Sequence, residues 1–523
     1  MPSTFEPLLD VFVWFKTEFL LSFAQLRRCM LYLIKLFPEI TIKSRPVRRR
    51  FIRQLRKNIR AVLLEFDEEV RVTGGWDSLE VETYCTDQGL LHKISNRLSY
   101  TPGISQFLEV EKYELPNIEG IMKLAMQHHA ESLRGKTFAV RCKRTGKHVF
   151  KSVDVERSVG GELNRCSEAL GVELENPDIT VALEIRDNSL FMVKRQIKGL
   201  GGFPLGCQDA ALSLVSGGFD SSVSSFLGIK RGLQIHYCFF NLGGKAHELA
   251  VKEVALYLWM KYHSSHRVKF VSIPFEAVLE EILSKVEDSQ MGVILKRMML
   301  RAADQVAVRL GLKALVTGDS VAQVSSQTLQ NMALIDQVSA SLILRPLSTC
   351  NKQEIIDIAR KIGTEEFSRN VPEYCAAISR KPTTKGKLER IEREEVQFNF
   401  KVLELAIEQA RYQLITEIEK DFDHVSSDVV VVQDVDTSST VIDIRHPDDM
   451  KISPLNSIRH KEGTDILTIP FYQLRTKFAK LDSTKRYLLY CDKGMMSRLH
   501  AAHLQDEGFT NVAVLDLFNK HRP

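Results

Sequence analysis

The stretch Ala211-Leu-Ser-Leu-Val215-Ser216-Gly217-Gly218-Phe219-Asp220-Ser221-Ser222 decides how the chain is read. An apolar strand ends in a turn with two glycines, and a helix follows at once. Glycines expose backbone N–H groups, and the helix N-terminus points its positive end at the same spot, so the turn is a ready phosphate site. Ser216, Ser221 and Ser222 can add hydroxyl donors, and Asp220 can hold Mg²⁺. No lysine follows the glycines, so this is not the G-x-x-x-x-G-K-[ST] loop. A plain tight βα turn is the competing explanation, and the order strand, glycine turn, helix weighs against it.

Outward from that loop, residues 207–390 alternate short apolar strands with amphipathic helices. The strands are Ala211–Val215, Gln234–Phe240, Val268–Ile273 and Ala314–Val316, and the alternation predicts a doubly wound parallel sheet. The strand at Ala314 runs into Thr317-Gly318-Asp319-Ser320, then Gln323, Ser325, Ser326 and Gln327. Such a polar segment at a strand end belongs to the carboxyl edge, where open α/β sheets bind ligands. Lys296 on the preceding helix is a candidate phosphate contact, though an ordinary surface lysine would read the same. Arg345 ends another strand near this edge.

Upstream, residues 30–91 read strand, basic helix, strand, and residues 92–196 continue as a small α+β unit. The breaker-rich segment Gly199–Gly206 marks a domain boundary. Downstream, 391–435 reads as a charged helical linker and 436–523 as a shorter α/β unit. In that unit Tyr490-Cys491-Asp492-Lys493-Gly494-Met495-Met496-Ser497-Arg498 places a cysteine at a strand end, facing a short loop and a helix N-terminus. Backbone N–H groups and Arg498 would stabilise an anion on its sulfur. A second cysteine, Cys375 in Pro372-Glu373-Tyr374-Cys375-Ala376, would alone read as a small core residue.

Composition sets the outer limits. The chain has 523 residues, 44% hydrophobic and 26% charged, and a net charge of +5, which fits a multidomain globular protein. Nine cysteines without a C-x-x-C pair or zinc spacing argue against a disulfide scaffold or a structural metal and fit a reducing cytoplasm. Charge is concentrated in two acid-free blocks. Lys43–Arg60 carries nine Lys or Arg, including Arg48, Arg49 and Arg53; Lys136–Lys151 carries six, including Arg141, Lys143, Arg144 and Lys147. Two such blocks predict a polyanion-binding surface. Residues 1–29 are apolar enough to suggest an anchor, but Asp10, Lys16 and Glu18 interrupt Leu8–Leu26. Three central charges cost about 7–10 kcal/mol against about 4–8 kcal/mol gained, so no membrane span is expected. A strand pattern begins at Met30, and the preceding residues read as an extension that is loosely attached or not translated.

The S-G-G-x-D-S loop resembles the pyrophosphate loop of ATP pyrophosphatases, and Cys-x-x-Gly-x-x-Ser-Arg resembles the active loop of rhodanese domains. Together the motifs resemble the bacterial tRNA uridine 4-sulfurtransferases (4-thiouridine synthases) with an appended rhodanese domain. The missing Gly-Gly after Leu517 departs from the rhodanese pattern. The resemblance implies a ferredoxin-like N-terminal domain at 30–91, a THUMP RNA-binding domain at 92–196, an adenylating domain at 207–390 and a rhodanese-like domain at 436–523. It implies ATP contacts at Leu214, Val215, Ser216, Gly217, Gly218, Ser221, Ser222, Lys296, Gly318 and Gln327, with Mg²⁺ near Asp220. Cys491 would carry a persulfide in a loop with Gly494, Ser497 and Arg498, and Cys375 would resolve it by forming a disulfide. The implied reaction adenylates uridine 8 of tRNA and replaces O4 by sulfur. A cysteine desulfurase would donate that sulfur, and the thiamine sulfur carrier protein would be a second acceptor. A homodimer is compatible with this picture. Two rival readings remain: another ATP-loop tRNA enzyme, such as a cytidine ligase or a thiolase, and a non-enzymatic RNA-binding sulfur carrier. A cytidine ligase would leave Cys491 without a role, and the intact S-G-G-x-D-S loop argues against a dead scaffold.

Overall fold

The computed structural model describes residues 30–517 apart from 243, 370–378, 380, 419–420, 422–428, 437–438, 446, 453, 456–464, 492–494 and 507. Residues 1–29, Cys375 and Gly494 lie outside the described residues. The chain forms two compact units, divided between Gly201 and Gly202, with Tyr100–Gly103 grouped with the second.

In the first unit, β1 (Met30–Leu36) is followed by α1 (Arg45–Leu63). Phe51, Ile52, Leu55, Ile59, Val62 and Leu63 recur at helical spacing and are buried, while Arg49, Arg50, Arg53, Arg56, Lys57 and Arg60 stay exposed. That is an amphipathic helix with an almost wholly cationic outer face. Arg48 departs from its expected role as an RNA contact. It is 6% exposed, donates to the Thr41 and Trp76 carbonyls and to Asp77, and lies over the Trp76 ring at 4.1 Å. It holds the loop before β3, because its position in the helical repeat turns it inward.

The strands β2 (Arg71–Gly74) and β3 (Ser78–Thr83), helix α2 (Gln88–Tyr100), β4 (Ile104–Glu114), α3 (Ile118–His129) and β5 (Thr137–Thr145) follow. Helix α4 (Ser152–Cys166) and strands β6 (Gly171–Val172), β7 (Ile179–Arg186) and β8 (Ser189–Lys198) complete the unit. All eight strands form one sheet, β2-β3-β1-β4-β8-β7-β5-β6. Strand β4 pairs antiparallel with β1 on one side and β8 on the other, so the division expected at residue 91 falls inside α2. A half-buried hydrogen bond of 2.6 Å from Lys35 Nζ to Glu184 ties the two halves, and burial pushes the Lys35 ammonium down to about 8. On β5 and the loop beyond it, Lys143 and Lys147 are exposed. Arg141 is also exposed and donates to the Leu174 carbonyl, whereas half-buried Arg144 donates to Gly146 and His148.

The second unit opens with β9 (Ala210–Val215), α5 (Phe219–Lys230), β10 (Gln234–Asn241), α6 (Gly244–Leu258), β11 (Lys269–Pro274) and α7 (Glu276–Lys285). It continues through α8 (Met291–Leu310), β12 (Ala314–Val316), α9 (Leu329–Asp336), β13 (Leu342–Leu344), α10 (Lys352–Ile362) and α11 (Glu365–Arg369). The sheet order is β13-β12-β9-β10-β11-β14, parallel except at its last strand.

That last strand overturns one expectation. The region read as a linker folds as α12 (Leu388–Gln397), α13 (Phe400–Glu408) and β14 (Arg411–Leu414), and β14 pairs antiparallel with β11. Ile391, Phe398, Leu403, Ala406 and Ile407 join the core containing Leu295 and Met298. The span is helical as far as Glu408, with most charges facing out, an apolar stripe packed inward and Glu394 and Glu395 buried beside it.

A third sheet, β15-β19-β18-β16-β17, is wholly parallel. Its elements are β15 (Val431–Val432), β16 (Ser439–Asp443), α14 (Pro447–Ile452), β17 (Ile466–Thr468), α15 (Phe471–Phe478), β18 (Arg486–Tyr490), α16 (Met495–Asp506) and β19 (Val512–Leu515). Among the described residues, no helix is long and apolar enough to cross a membrane.

Candidate active site

Strands β9 and β12 are neighbours, with Val316 paired to Ser213, so their carboxyl ends open side by side. The Ser216–Asp220 turn leaves β9 there, and Gly217 has φ +81°, a conformation that disfavours a side chain. A cavity of about 500 Å³ lies over this edge. Leu214, Val215, Ser216, Gly218, Asp220, Ser221, Lys296, Gly318 and Gln327 all line it. Phe239, Phe240, Leu242, Met299 and Leu300 supply an apolar wall, so one end suits a flat ring and the other a polyanion.

The loop is hydrogen-bonded to itself. Ser221 Oγ donates to the Gly218 carbonyl at 3.1 Å and accepts from Ser216 N at 3.2 Å. Ser222 departs from the phosphate role expected of it. It is 1% exposed, and its hydroxyl bonds Phe219 O at 2.9 Å and Thr364 at 3.2 Å. One step along α5 from Ser221 rotates the side chain about 100°, away from the cavity.

Gly318 is dictated by space. A Cβ there would lie 2.7 Å from the Asp220 carbonyl carbon and 2.9 Å from Ser221 N, backbone atoms of the phosphate loop itself. Gly318→Ala is therefore expected to displace the loop at a cost of about 1–3 kcal/mol. Isothermal titration with ATP should show weaker binding while far-UV circular dichroism is unchanged; unaltered ATP affinity would refute the close approach.

Asp319 anchors the opposite wall. Its carboxylate accepts from Lys296 Nζ at 3.1 Å, Gln327 Nε2 at 3.2 Å and Thr317 Oγ1 at 2.8 Å, and Arg345 Nε is 3.4 Å away. Burial would raise its pKa, but Lys296 and the hydrogen bonds outweigh this and hold it well below the usual carboxylate range. Asp319 thereby fixes Lys296 and Gln327, the two side chains expected to meet ATP.

Lys352 escaped the sequence reading. Its Nζ is 2.9 Å from Asp220 Oδ1, while Gln323 Nε2 donates to Oδ2 at 2.8 Å. A signal existed. Lys352 is the first residue of α10, after the Asn351 cap, and a helix N-terminus disfavours a cation unless something anionic comes there.

In the third sheet, Cys491 follows β18 and is buried at 6% exposure. Ser497 N, in the first turn of α16, donates to its Sγ at 3.4 Å. Ser497 Oγ is buried and has no hydrogen-bond partner among the described residues. Arg498 bonds Asp516 at 3.3 Å. Buried Arg445 pairs with Asp443, Nε to Oδ1 at 2.9 Å, and lies over the Tyr490 ring at 5.2 Å.

Comparison with known proteins gives four family matches in chain order. They are the ThiI ferredoxin-like domain at residues 31–107, the THUMP domain at 116–193, Thiamine biosynthesis protein (ThiI) at 206–400 and the Rhodanese-like domain at 430–517. The tRNA sulfurtransferase of Azotobacter vinelandii is 53% identical over 487 residues, 93% of this chain and 99% of its own. That of Pseudomonas aeruginosa strain UCBPP-PA14 is 53% identical over 485 residues, with 93% and 99% covered. The chain belongs to the tRNA sulfurtransferase family. The solved structure described as "Crystal structure of a 4-thiouridine synthetase - RNA complex with bound ATP" superposes with a TM-score of 0.65 at 24% identity, over 74% of this chain and 100% of its own. At that identity it shows the shared fold. The family's ferredoxin-like, THUMP, adenylating and rhodanese-like folds are those read from the sequence.

Proposed function

We propose that this member of the family converts uridine 8 of tRNA to 4-thiouridine, using ATP to activate O4 and Cys491 to carry the sulfur. One observation carries the reading. A cavity with an S-G-G-x-D-S turn at a strand end, lined by Lys296 and with Lys352 bonded to Asp220 of that turn, shares a chain with a cysteine cradled at a helix N-terminus.

ATP binds with its base against the Phe239–Leu242 wall and its phosphates on the glycine turn. Lys296 and Lys352 neutralise the pyrophosphate, Lys352 exchanging its contact with Asp220 for a phosphate oxygen. Among the described residues no group of three or more His, Cys, Asp or Glu could hold a metal unaided. Asp220 together with phosphate oxygens would hold Mg²⁺, a set that suits this ion, and the ion would supply charge neutralisation.

O4 of the uridine attacks the α-phosphate and pyrophosphate leaves. The outer sulfur of the Cys491 persulfide attacks C4, AMP departs, and the base is joined to Cys491 through two sulfurs. The Cys375 thiolate attacks Cys491 Sγ, releasing the thiolated base and closing a Cys375–Cys491 disulfide, which cellular reductant reopens. The bond from Ser497 N to Cys491 Sγ stabilises the thiolate that takes up the outer sulfur. Ser379 and Pro382 line the cavity, and four residues span at most about 14 Å, which keeps Cys375 within reach.

The exposed Arg49, Arg53, Lys143 and Lys147 bind tRNA phosphates, whereas Arg48 shapes the loop beside them. A pyridoxal-phosphate cysteine desulfurase loads Cys491 in the cytoplasm, and the thiamine sulfur carrier protein takes sulfur from the same residue.

The test is reconstitution. Purified protein, ATP, a persulfide donor and unmodified tRNA should yield 4-thiouridine at position 8 with AMP and pyrophosphate, read by nucleoside mass spectrometry. ATP consumption with an amine-modified cytidine, or no modified base at all, would overturn the reading.

A further inference from the structure

The third sheet and the ATP-loop sheet meet within the second unit through side chains that neither chemistry uses. Phe471, the first residue of α15, stacks on Phe367 of α11 with ring centroids 4.5 Å apart and planes at 28°. Tyr257 of α6 lies 5.9 Å from Phe471 and 5.1 Å from Phe367. On its other side Phe471 stacks with His500 of α16 at 5.9 Å, and His500 Nε2 is 3.2 Å from Glu253 Oε1 on α6. A second anchor lies at α14, where Asp449 accepts from the Tyr100 hydroxyl at 2.6 Å. Lys261 Nζ is 3.9 Å from the same carboxylate and 4.6 Å from the Tyr100 ring.

The position of Phe471 gives this contact meaning. Phe471 N donates to Ile444 O, and Ile444 N donates to Tyr490 O, the residue before Cys491. Phe471 therefore sits on the carboxyl edge of the third sheet beside the cysteine. Its partner Phe367 is on α11, the helix that leads into the segment carrying Cys375. Cys375 lies eight positions after Phe367, a reach of at most about 28 Å. Phe471, Phe367 and Tyr257 are each under 10% exposed; separating the domains would bare all three rings, which water disfavours.

We propose that this aromatic cluster, with Asp449 as its polar anchor, is an internal docking seat that presents the Cys491 edge of the rhodanese-like domain to the ATP-loop domain and sets the distance for sulfur delivery. The proposal rests on Cys491 as the sulfur carrier. The seat is a positioning device, since none of its side chains touches a reacting atom.

Phe471→Ala and Phe367→Ala remove the stack from opposite sides, and the second cannot damage the rhodanese-like domain. Both variants should load persulfide on Cys491 like the wild type. Both should slow single-turnover sulfur transfer to tRNA by about a hundredfold, the scale of a misplacement of about 1 Å. Excess hydrosulfide, which attacks the adenylated C4 directly and expels AMP, should restore thiolation in both. Wild-type transfer rates in the variants, a parallel loss of persulfide loading in Phe367→Ala, or no rescue by hydrosulfide would each overturn the seat. Small-angle X-ray scattering reads the seat independently of sulfur chemistry. The variants should have a larger radius of gyration than the wild type, and unchanged dimensions would sink the idea even if Cys491 proved to carry no sulfur.

Discussion

Cys491→Ala should lose tRNA thiolation by at least about a thousandfold, the scale expected when a covalent carrier is removed. Sulfur donation to the thiamine carrier protein should be lost with it, because the proposed function starts both routes at the same sulfur. Cys375→Ala should behave differently. Its Cys491 should still be loaded and still serve the carrier protein, while thiolation stops after about one turnover because nothing releases the disulfide-linked base. Wild-type enzyme without reductant should accumulate a Cys375–Cys491 disulfide, which peptide mapping reads directly. The structure ranks the alternatives to Cys375. Cys238 is fully buried, and burial raises its thiol far above the usual range, so it is a poor attacking group. Cys350 is only half-buried. A map showing Cys491 bridged to Cys350 or Cys238 would remove Cys375 from the mechanism.

Glu395→Ala should destabilise the ATP-loop domain by about 3–5 kcal/mol, the effect of stranding a buried charge. Arg297 is 4% exposed and Glu395 8%. They meet in a two-pronged pair, Nε to Oε1 at 2.7 Å and Nη2 to Oε2 at 3.0 Å. Arg301 adds a third bond at 3.0 Å, and Arg297 Nη1 also donates to Leu334 O. Removing the carboxylate leaves one guanidinium buried and unpaired and a second partly so. The strain falls on α8 beside Lys296, so ATP binding should weaken as well. Denaturant unfolding followed with and without ATP measures both effects, with exposed Glu389→Ala as the control, expected within about 0.5 kcal/mol of the wild type. If the two variants unfold alike, the pair contributes no more than a surface charge.

Glu395 also shows where reading the sequence stopped short. The span 391–435 reads as helical because no Gly or Pro breaks it, and its charges suggest a solvated spacer. Whether a charged helix faces water depends on a partner. Here Arg297 and Arg301, almost a hundred positions earlier, take up Glu395, and Ile391, Leu403 and Ile407 fill the core. Arg48 and Ser222 failed for a related reason. Residue type and motif position suggested phosphate contacts, but helical phase turned both inward toward groups that lie elsewhere in the chain.

The sequence by itself determined the features that local chemistry governs. A strand, two glycines and a helix N-terminus in immediate succession make a phosphate loop wherever they occur, and a cysteine before such a turn is set up to hold an anion. Alternating strand and helix periods determined the parallel sheet. Only the tertiary structure decided which distant groups complete these sites. Lys352 reaches Asp220 from 132 positions away, Gly318 yields space to the loop backbone, Asp319 locks Lys296 and Gln327, and Phe471 lies on Phe367. Such pairings arise from the packing of separate elements, whose geometry is set by the whole core and leaves no periodic or compositional trace in either partner's neighbourhood.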